Sequence, residues 1–178
     1  MMGFSYSQDE GPVKCFNAPK NRQLGWYSAG DVDVAPTSTP GSGWSGDIVG
    51  ISDYDSVTAG DPYAVNIKVD VEDAFDYYVS FNRRIGINNG TGEGANQVIV
   101  HRRTSGLGFA ESDLLAKLSA GGTYSFPNGQ ALTVNSISTS VSPGFATVTI
   151  GNVSTPAPPT PAPPTPAPPT PAPPTPAP

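Results

Sequence analysis

Tyr63-Ala64-Val65-Asn66-Ile67-Lys68-Val69-Asp70-Val71 is the stretch that decides the fold class. Successive side chains of a strand point to opposite faces. Val65, Ile67, Val69 and Val71 therefore share one face, and Ala64, Asn66, Lys68 and Asp70 the other. The spacing of two predicts a strand whose aliphatic face lies on a core. Ala146, Val148 and Ile150 alternate with Thr147 and Thr149 in the same way. Segments rich in β-branched and aromatic residues, punctuated by glycine and turn pairs, predict further strands. The full set is 23–28, 47–52, 63–71, 76–82, 97–102, 123–126, 131–138 and 145–150. Asn128-Gly129 is the best hairpin signal, because both residues tolerate positive φ. Only 111–118 reads as a helix: Leu114, Leu115 and Leu118 fall at helical spacing, Ser112 or Asp113 is placed to cap, and Gly121-Gly122 would end it. The pattern predicts a mostly β fold, an antiparallel β-sandwich of the jelly-roll kind with one short helix, followed by a polyproline II tail.

Composition bounds what such a domain can do. Of 178 residues, the last 24 hold 14 of the 21 prolines, and the remaining body carries all 9 basic and 15 acidic residues. A net charge of -6 without a basic run argues against nucleic acid and anionic membranes as partners. No apolar stretch approaches the roughly 18 residues of a membrane span. One cysteine and one histidine build neither a disulfide framework nor a closed zinc site, so no cofactor is expected in this chain. The first residues have no basic and apolar regions of a signal peptide. Asn89-Gly90-Thr91 and Asn152-Val153-Ser154 nevertheless fit the N-glycosylation pattern of secreted proteins. Cys15 reads either as a thiol whose partner lies elsewhere or as a small buried hydrophobe.

From Thr155 the chain repeats Thr-Pro-Ala-Pro-Pro four times and stops inside a fifth copy, as though the natural repeat continues. Proline fixes φ and removes the amide donor, so polyproline II is expected, a rod of roughly 70–75 Å at about 3.1 Å per residue. A five-residue repeat on a three-residue turn advances each threonine by about 240°. Thr155, Thr160, Thr165, Thr170 and Thr175 would then spiral round every face, which suits a coat of O-linked sugars better than one docking stripe. The tail also resembles the hydroxyproline-rich glycoproteins of plant and algal extracellular matrix. That resemblance makes Pro156, Pro158, Pro159, Pro161, Pro163 and Pro164 hydroxylation candidates.

Few motifs carry chemistry. Asp53, Asp55 and Asp61 offer oxygens of the kind calcium takes, but their spacing is not that of an EF-hand loop, and an acidic turn is the commoner meaning. Asp70, Glu72, Asp73 and Asp76 read as a solvated strand end. His101 has no second histidine and reads as structural. Gly90-Thr91-Gly92-Glu93-Gly94 lacks the lysine and following helix of a phosphate cradle.

Met2-Gly3-Phe4-Ser5-Tyr6-Ser7, followed by Cys15-Phe16-Asn17-Ala18-Pro19-Lys20-Asn21-Arg22-Gln23-Leu24-Gly25-Trp26-Tyr27, resembles the gametolysin-type zinc metallopeptidases of algae. Trp44-Ser45-Gly46-Asp47-Ile48-Val49-Gly50-Ile51, Tyr77-Tyr78-Val79-Ser80-Phe81-Asn82-Arg83 and Gly86-Ile87-Asn88-Asn89-Gly90-Thr91-Gly92-Glu93-Gly94 look like that family's β-rich region. The resemblance implies that Met2 and Gly3 are the remnant of a Met-turn, a turn that lies beneath zinc in the family. The family's His-Glu-x-x-His helix would lie before Met1, and Arg22 stands where an aromatic is expected. Two histidines four apart on a helix are what place both imidazoles on one metal, so the chain as written should not hydrolyse peptides.

These readings divide the chain into a Met-turn remnant (1–21), a sandwich (22–153) and a stalk (154–178). The first function expected is that of a secreted, non-catalytic structural glycoprotein of an extracellular matrix or fibre, with self-assembly or matrix glycoproteins as partners. The second is the C-terminal part of a zinc endopeptidase acting on matrix glycoproteins, zinc being held by a longer parent. The third is a carbohydrate-binding sandwich using Trp26, Trp44, Tyr77 and Tyr78.

Overall fold

The computed structural model describes residues 15–39, 41–57 and 61–152. Met2, Gly3 and the whole repeat from Thr155, with its threonines and prolines, lie outside the described residues. Ten strands form among those described: β1 (Asp31–Val34), β2 (Trp44–Val49), β3 (Tyr63–Ala64), β4 (Asn66–Asp70), β5 (Phe75–Asn82), β6 (Gln97–Thr104), β7 (Ser112–Leu118), β8 (Thr123–Ser125), β9 (Gln130–Ser138) and β10 (Phe145–Asn152). They make two five-stranded sheets, ordered β1-β4-β5-β6-β7 and β3-β2-β10-β9-β8. The chain is mostly β and sandwich-like, as the alternation predicts. It is not wholly antiparallel, because β1 runs parallel to β4 and β2 parallel to β3, so each sheet is mixed.

Alternation places the core. Ile67, Val69, Tyr77, Val79, Phe81, Val98 and Val100 of the first sheet meet Ile48, Leu132, Val134, Ala146, Val148 and Ile150 of the second in one buried cluster. Burying an aliphatic or aromatic side chain of this size stabilises by about 1.5–3 kcal/mol, so this seam is what holds the layers together.

The strand expected over 63–71 is two strands in different sheets. Ala64 pairs with Ile48 of β2, the Val65 amide donates to the Gly30 carbonyl at 2.7 Å, and Asn66 begins β4 beside β1. A Cβ on Gly30 would lie 2.5 Å from Val65 Cγ2, so this corner needs glycine. Ile67, Val69 and Val71 still point to the core, whereas Asn66 is buried on the opposite side.

Two further segments depart from their pattern. The helix expected over 111–118 is strand β7, antiparallel to β6. A bulge opposite Val100/His101 puts an extra residue in β7, and Leu115, Ala116 and Leu118 all pack against the core. The bulge breaks the period of two and mimics helical leucine spacing. Conversely, the strand expected over 23–28 is the end of helix α1 (Ala18–Leu24) and a 3-10 turn at Ser28–Gly30. Asn17 caps α1 by accepting from the Lys20 amide, Pro19 sits in the first turn, and Gly25 ends it at φ 69°. That is a complete set of start and stop signals. α1 spans position 21 and packs on the outer face of the first sheet. The Asn128-Gly129 hairpin forms as expected between β8 and β9, with Gly129 at φ 85° and its amide bonded to the Phe126 carbonyl at 3.1 Å.

A buried ion pair closes one end of the sandwich. Asp53 lies in the 3-10 turn Ile51–Ser56 after β2, and Arg83 follows β5, so the pair joins the two sheets at 3.4 Å. Both side chains are under a tenth exposed. The Gly144 amide donates to Asp53 Oδ2 at 3.0 Å, and Arg83 donates to the Thr139 carbonyl. A Cβ on Gly144 would collide with the Arg83 guanidinium and one on Gly50 with Arg83 Cβ, so Gly144 leaves room for the charged group and Gly50 for the root of its side chain. Removing one partner leaves an uncompensated buried charge. Arg83→Met is expected to lower stability in urea unfolding by about 3–5 kcal/mol, and Gly50→Ala by about 1–3 kcal/mol. Wild-type midpoints for both would remove the pair from this role.

Candidate functional surface

The outer faces of the two sheets differ. On the second sheet, Ser45 and Thr149 hydroxyls bond at 3.1 Å, Asn135 donates to Thr149, and Thr147 donates to Asp47 at 2.6 Å. On the first sheet a polar layer lies beneath α1. Lys68, Arg103, Ser105 and Tyr78 converge on Asp76, with Lys68 Nζ at 3.0 Å, the Ser105 hydroxyl at 3.1 Å, the Tyr78 hydroxyl at 3.4 Å and Arg103 at 3.6 Å. Burial alone would raise the Asp76 carboxyl, but Lys68, then Ser105 and Arg103, hold it below the usual carboxylate range. Asp76 is thus taken out of the solvated cluster expected from sequence, while Asp70, Glu72 and Asp73 stay exposed at the turn. Arg22 of α1 meets Asp33 at 2.7 Å and Asp31 at 3.8 Å, and Asn66 donates to Asp31 at 3.0 Å. Asn17 donates to the Ser112 hydroxyl, and Lys20 to the Ala110 carbonyl at 2.6 Å. This network straps the helix down; its charged groups are occupied by one another.

The end that carries the ion pair also carries an aromatic surface. Phe16 and Trp26 rings lie 5.6 Å apart, and Tyr27 meets Tyr54 edge-on at 4.8 Å. Phe16 and Trp26 are exposed, as are Ile85, just before the 3-10 turn Gly86–Asn88, and Ile87 within that turn, which packs on the turn holding Tyr54. The Cys15 amide reaches Asn88 Oδ1 at 3.5 Å, and Asn88 donates to Asn82 and to the Arg83 carbonyl. Cys15 is half-buried and unpaired among the described residues, and burial pushes its thiol up. Sequence reading singled out Trp26 here but passed over Phe16, Tyr27 and Tyr54, whose meeting depends on where α1 ends.

The remaining sequence candidates fall apart in space. Asp53 is committed to Arg83, whereas Asp55 and Asp61 are exposed, and no group of three metal-ligating side chains gathers among the described residues. Tyr77 lies in the core, Tyr78 is buried in the polar layer beneath α1, and Trp44 folds over Gly46. Of the four aromatics considered for sugar stacking, Trp26 is the one that is openly exposed. Asn89 sits exposed just after the Gly86–Asn88 turn, with Thr91 buried behind it. Asn152 is exposed at the end of β10. No described helix is long and apolar enough to cross a membrane.

No protein family, curated protein or solved structure matches this chain.

His101 occupies the polar layer, opposite Tyr78 on β5 and Leu114 on β7. Its Nδ1 has no hydrogen-bond partner among the described residues, and burial lowers its pKa from 6.5 to about 4. The unfolded chain takes up this proton first, so the contribution is complete above the unfolded value and is lost as pH falls toward the folded one. Stability should decline between pH 6.5 and about 4 by on the order of 3 kcal/mol. In urea titrations across that window, His101→Gln should flatten the slope, with the Asp76 loss remaining at lower pH. An unchanged slope would place the acid sensitivity elsewhere.

Proposed function

We propose that this chain is a secreted, non-catalytic structural glycoprotein module, a jelly-roll-like sandwich that carries a sugar-coated polyproline stalk in an extracellular matrix or fibre. The observation that carries this reading is the Thr-Pro-Ala-Pro-Pro repeat, which follows directly on a folded β domain. Its composition resists helix and sheet, and in polyproline II its threonines would face every side, the arrangement of an O-glycosylated rod. Two features of the domain support the reading. Asn89 and Asn152 both present their side chains at exposed positions, and the buried carboxylates Asp53 and Asp76 are each matched by cations in structural pairs. The gametolysin-like order of motifs from Met2 to Ile150 supports descent from that peptidase family, with the support domain kept and put to a structural use.

Intact mass and N-terminal sequencing of the native protein, before and after chemical deglycosylation, test the reading. A large sugar-dependent fall in mass is expected, most of it located on peptides containing Thr155 to Thr175. Asn89→Gln should remove one further N-linked glycan. A native mass equal to that of the bare polypeptide would overturn the glycan coat. A longer polypeptide bearing a His-Glu-x-x-His segment and retaining zinc would make the peptidase the primary function.

A further inference from the structure

Strand β10 separates two ends of the sandwich. Its first residue, Phe145, pairs with Val49, immediately before the turn that holds Asp53 and Tyr54. Its last residue, Asn152, pairs with Gln130 at the other end, and the repeat follows from there. Eight strand residues at about 3.3 Å each put roughly 25 Å between the aromatic end and the point where the stalk departs. β10 runs away from that end toward the repeat, and a chain of this proline content resists reversing direction. Its own aromatic end is thus behind it, whereas that of another molecule can lie ahead.

The chemistry of the two partners matches. The repeat has no charged residue, and its prolines supply rigid apolar rings without amide donors. Aromatic-lined surfaces recognise such segments because their shape is already set, so little ordering entropy is lost on docking. Trp26 is 55% exposed, Phe16 39% and Ile87 60%, and Tyr27 and Tyr54 continue the surface. By contrast Phe109, although 85% exposed, lies on the loop between β6 and β7 with only Leu107 as an exposed apolar neighbour on that loop.

We propose that the surface formed by Phe16, Trp26, Tyr27, Tyr54, Ile85 and Ile87 binds the Thr-Pro-Ala-Pro-Pro repeat of a second copy of this chain, joining copies head to tail. A heterologous contact of this kind does not close on itself and generates filaments. The inference builds on the extended stalk of the proposed function, but not on its sugars.

The probe is a synthetic, unglycosylated (Thr-Pro-Ala-Pro-Pro)4 peptide added to the full chain, read from its backbone amide signals by NMR. Sedimentation velocity of the full chain over a hundredfold concentration range reads assembly. Saturable binding is expected, weakened about tenfold by Trp26→Ala, the scale of losing one stacked aromatic. Ile87→Asp, at a position too exposed to threaten folding, should weaken it comparably, and Phe109→Ala should leave it unchanged. Full chain should form species that grow with concentration, that excess peptide disperses and that either interface variant abolishes. Absence of peptide binding, or equal binding by all variants, overturns the proposal. Concentration-independent occupancy of the surface by the same molecule's tail overturns it too. A sugar-free native stalk with intact binding would instead refute the glycan coat and leave the docking in place.

Discussion

The Asp53–Arg83 pair is the constraint on which the arrangement of the layers depends. Arg83 directly follows β5 of the first sheet, Asp53 sits in the turn leaving β2 of the second, and Gly144 delivers its amide just before β10 begins. Taking two charges out of water is costly, and in stability terms a well-packed apolar pair would often serve as well. What the ion pair adds is direction. An aliphatic seam tolerates sliding, whereas the guanidinium must meet one carboxylate and one carbonyl at Thr139, beside a glycine, Gly144, that leaves it space. The register between the sheets is thereby specified at one point, and the aromatic end is built directly over it.

The first sheet is buried on both sides in two chemically opposite ways. Towards the second sheet it presents valine, isoleucine and aromatic rings; towards α1 it presents aspartate, lysine, arginine, tyrosine and histidine. A short helix has little stability of its own and needs tertiary support. Here that support is largely polar, through Asn17, Lys20 and Arg22. The second sheet's outer face has hydroxyls bonded across the strands instead.

How much of this was legible in the sequence follows from the range of the forces concerned. β5, β6, β9 and β10 were readable because one face of each meets the core and alternation records it. The hairpin at Asn128-Gly129 was readable because turn chemistry is local. β7 was hidden because its bulge gives leucines a helical spacing, and only pairing with β6 makes it a strand. β1 (Asp-Val-Asp-Val) was passed over because its aspartates find their partners in Arg22 and Asn66, distant in sequence. α1 had its caps in view at Asn17, Pro19 and Gly25, but the apolar and aromatic residues from Leu24 onward suggested a strand. The aromatic surface was legible only as one exposed tryptophan, since its other members come from three separate turns.

The strand that the repeat follows in sequence is the central strand of its sheet. β10 is hydrogen-bonded to β2 on one side and to β9 on the other, antiparallel to both. The bonds of an antiparallel ladder run perpendicular to the strands. Tension applied to the stalk would therefore load both ladders in shear, many bonds at once, and not peel an edge strand away one bond at a time. The second sheet holds that strand from both flanks, with Ala146, Val148 and Ile150 keyed into the core beneath.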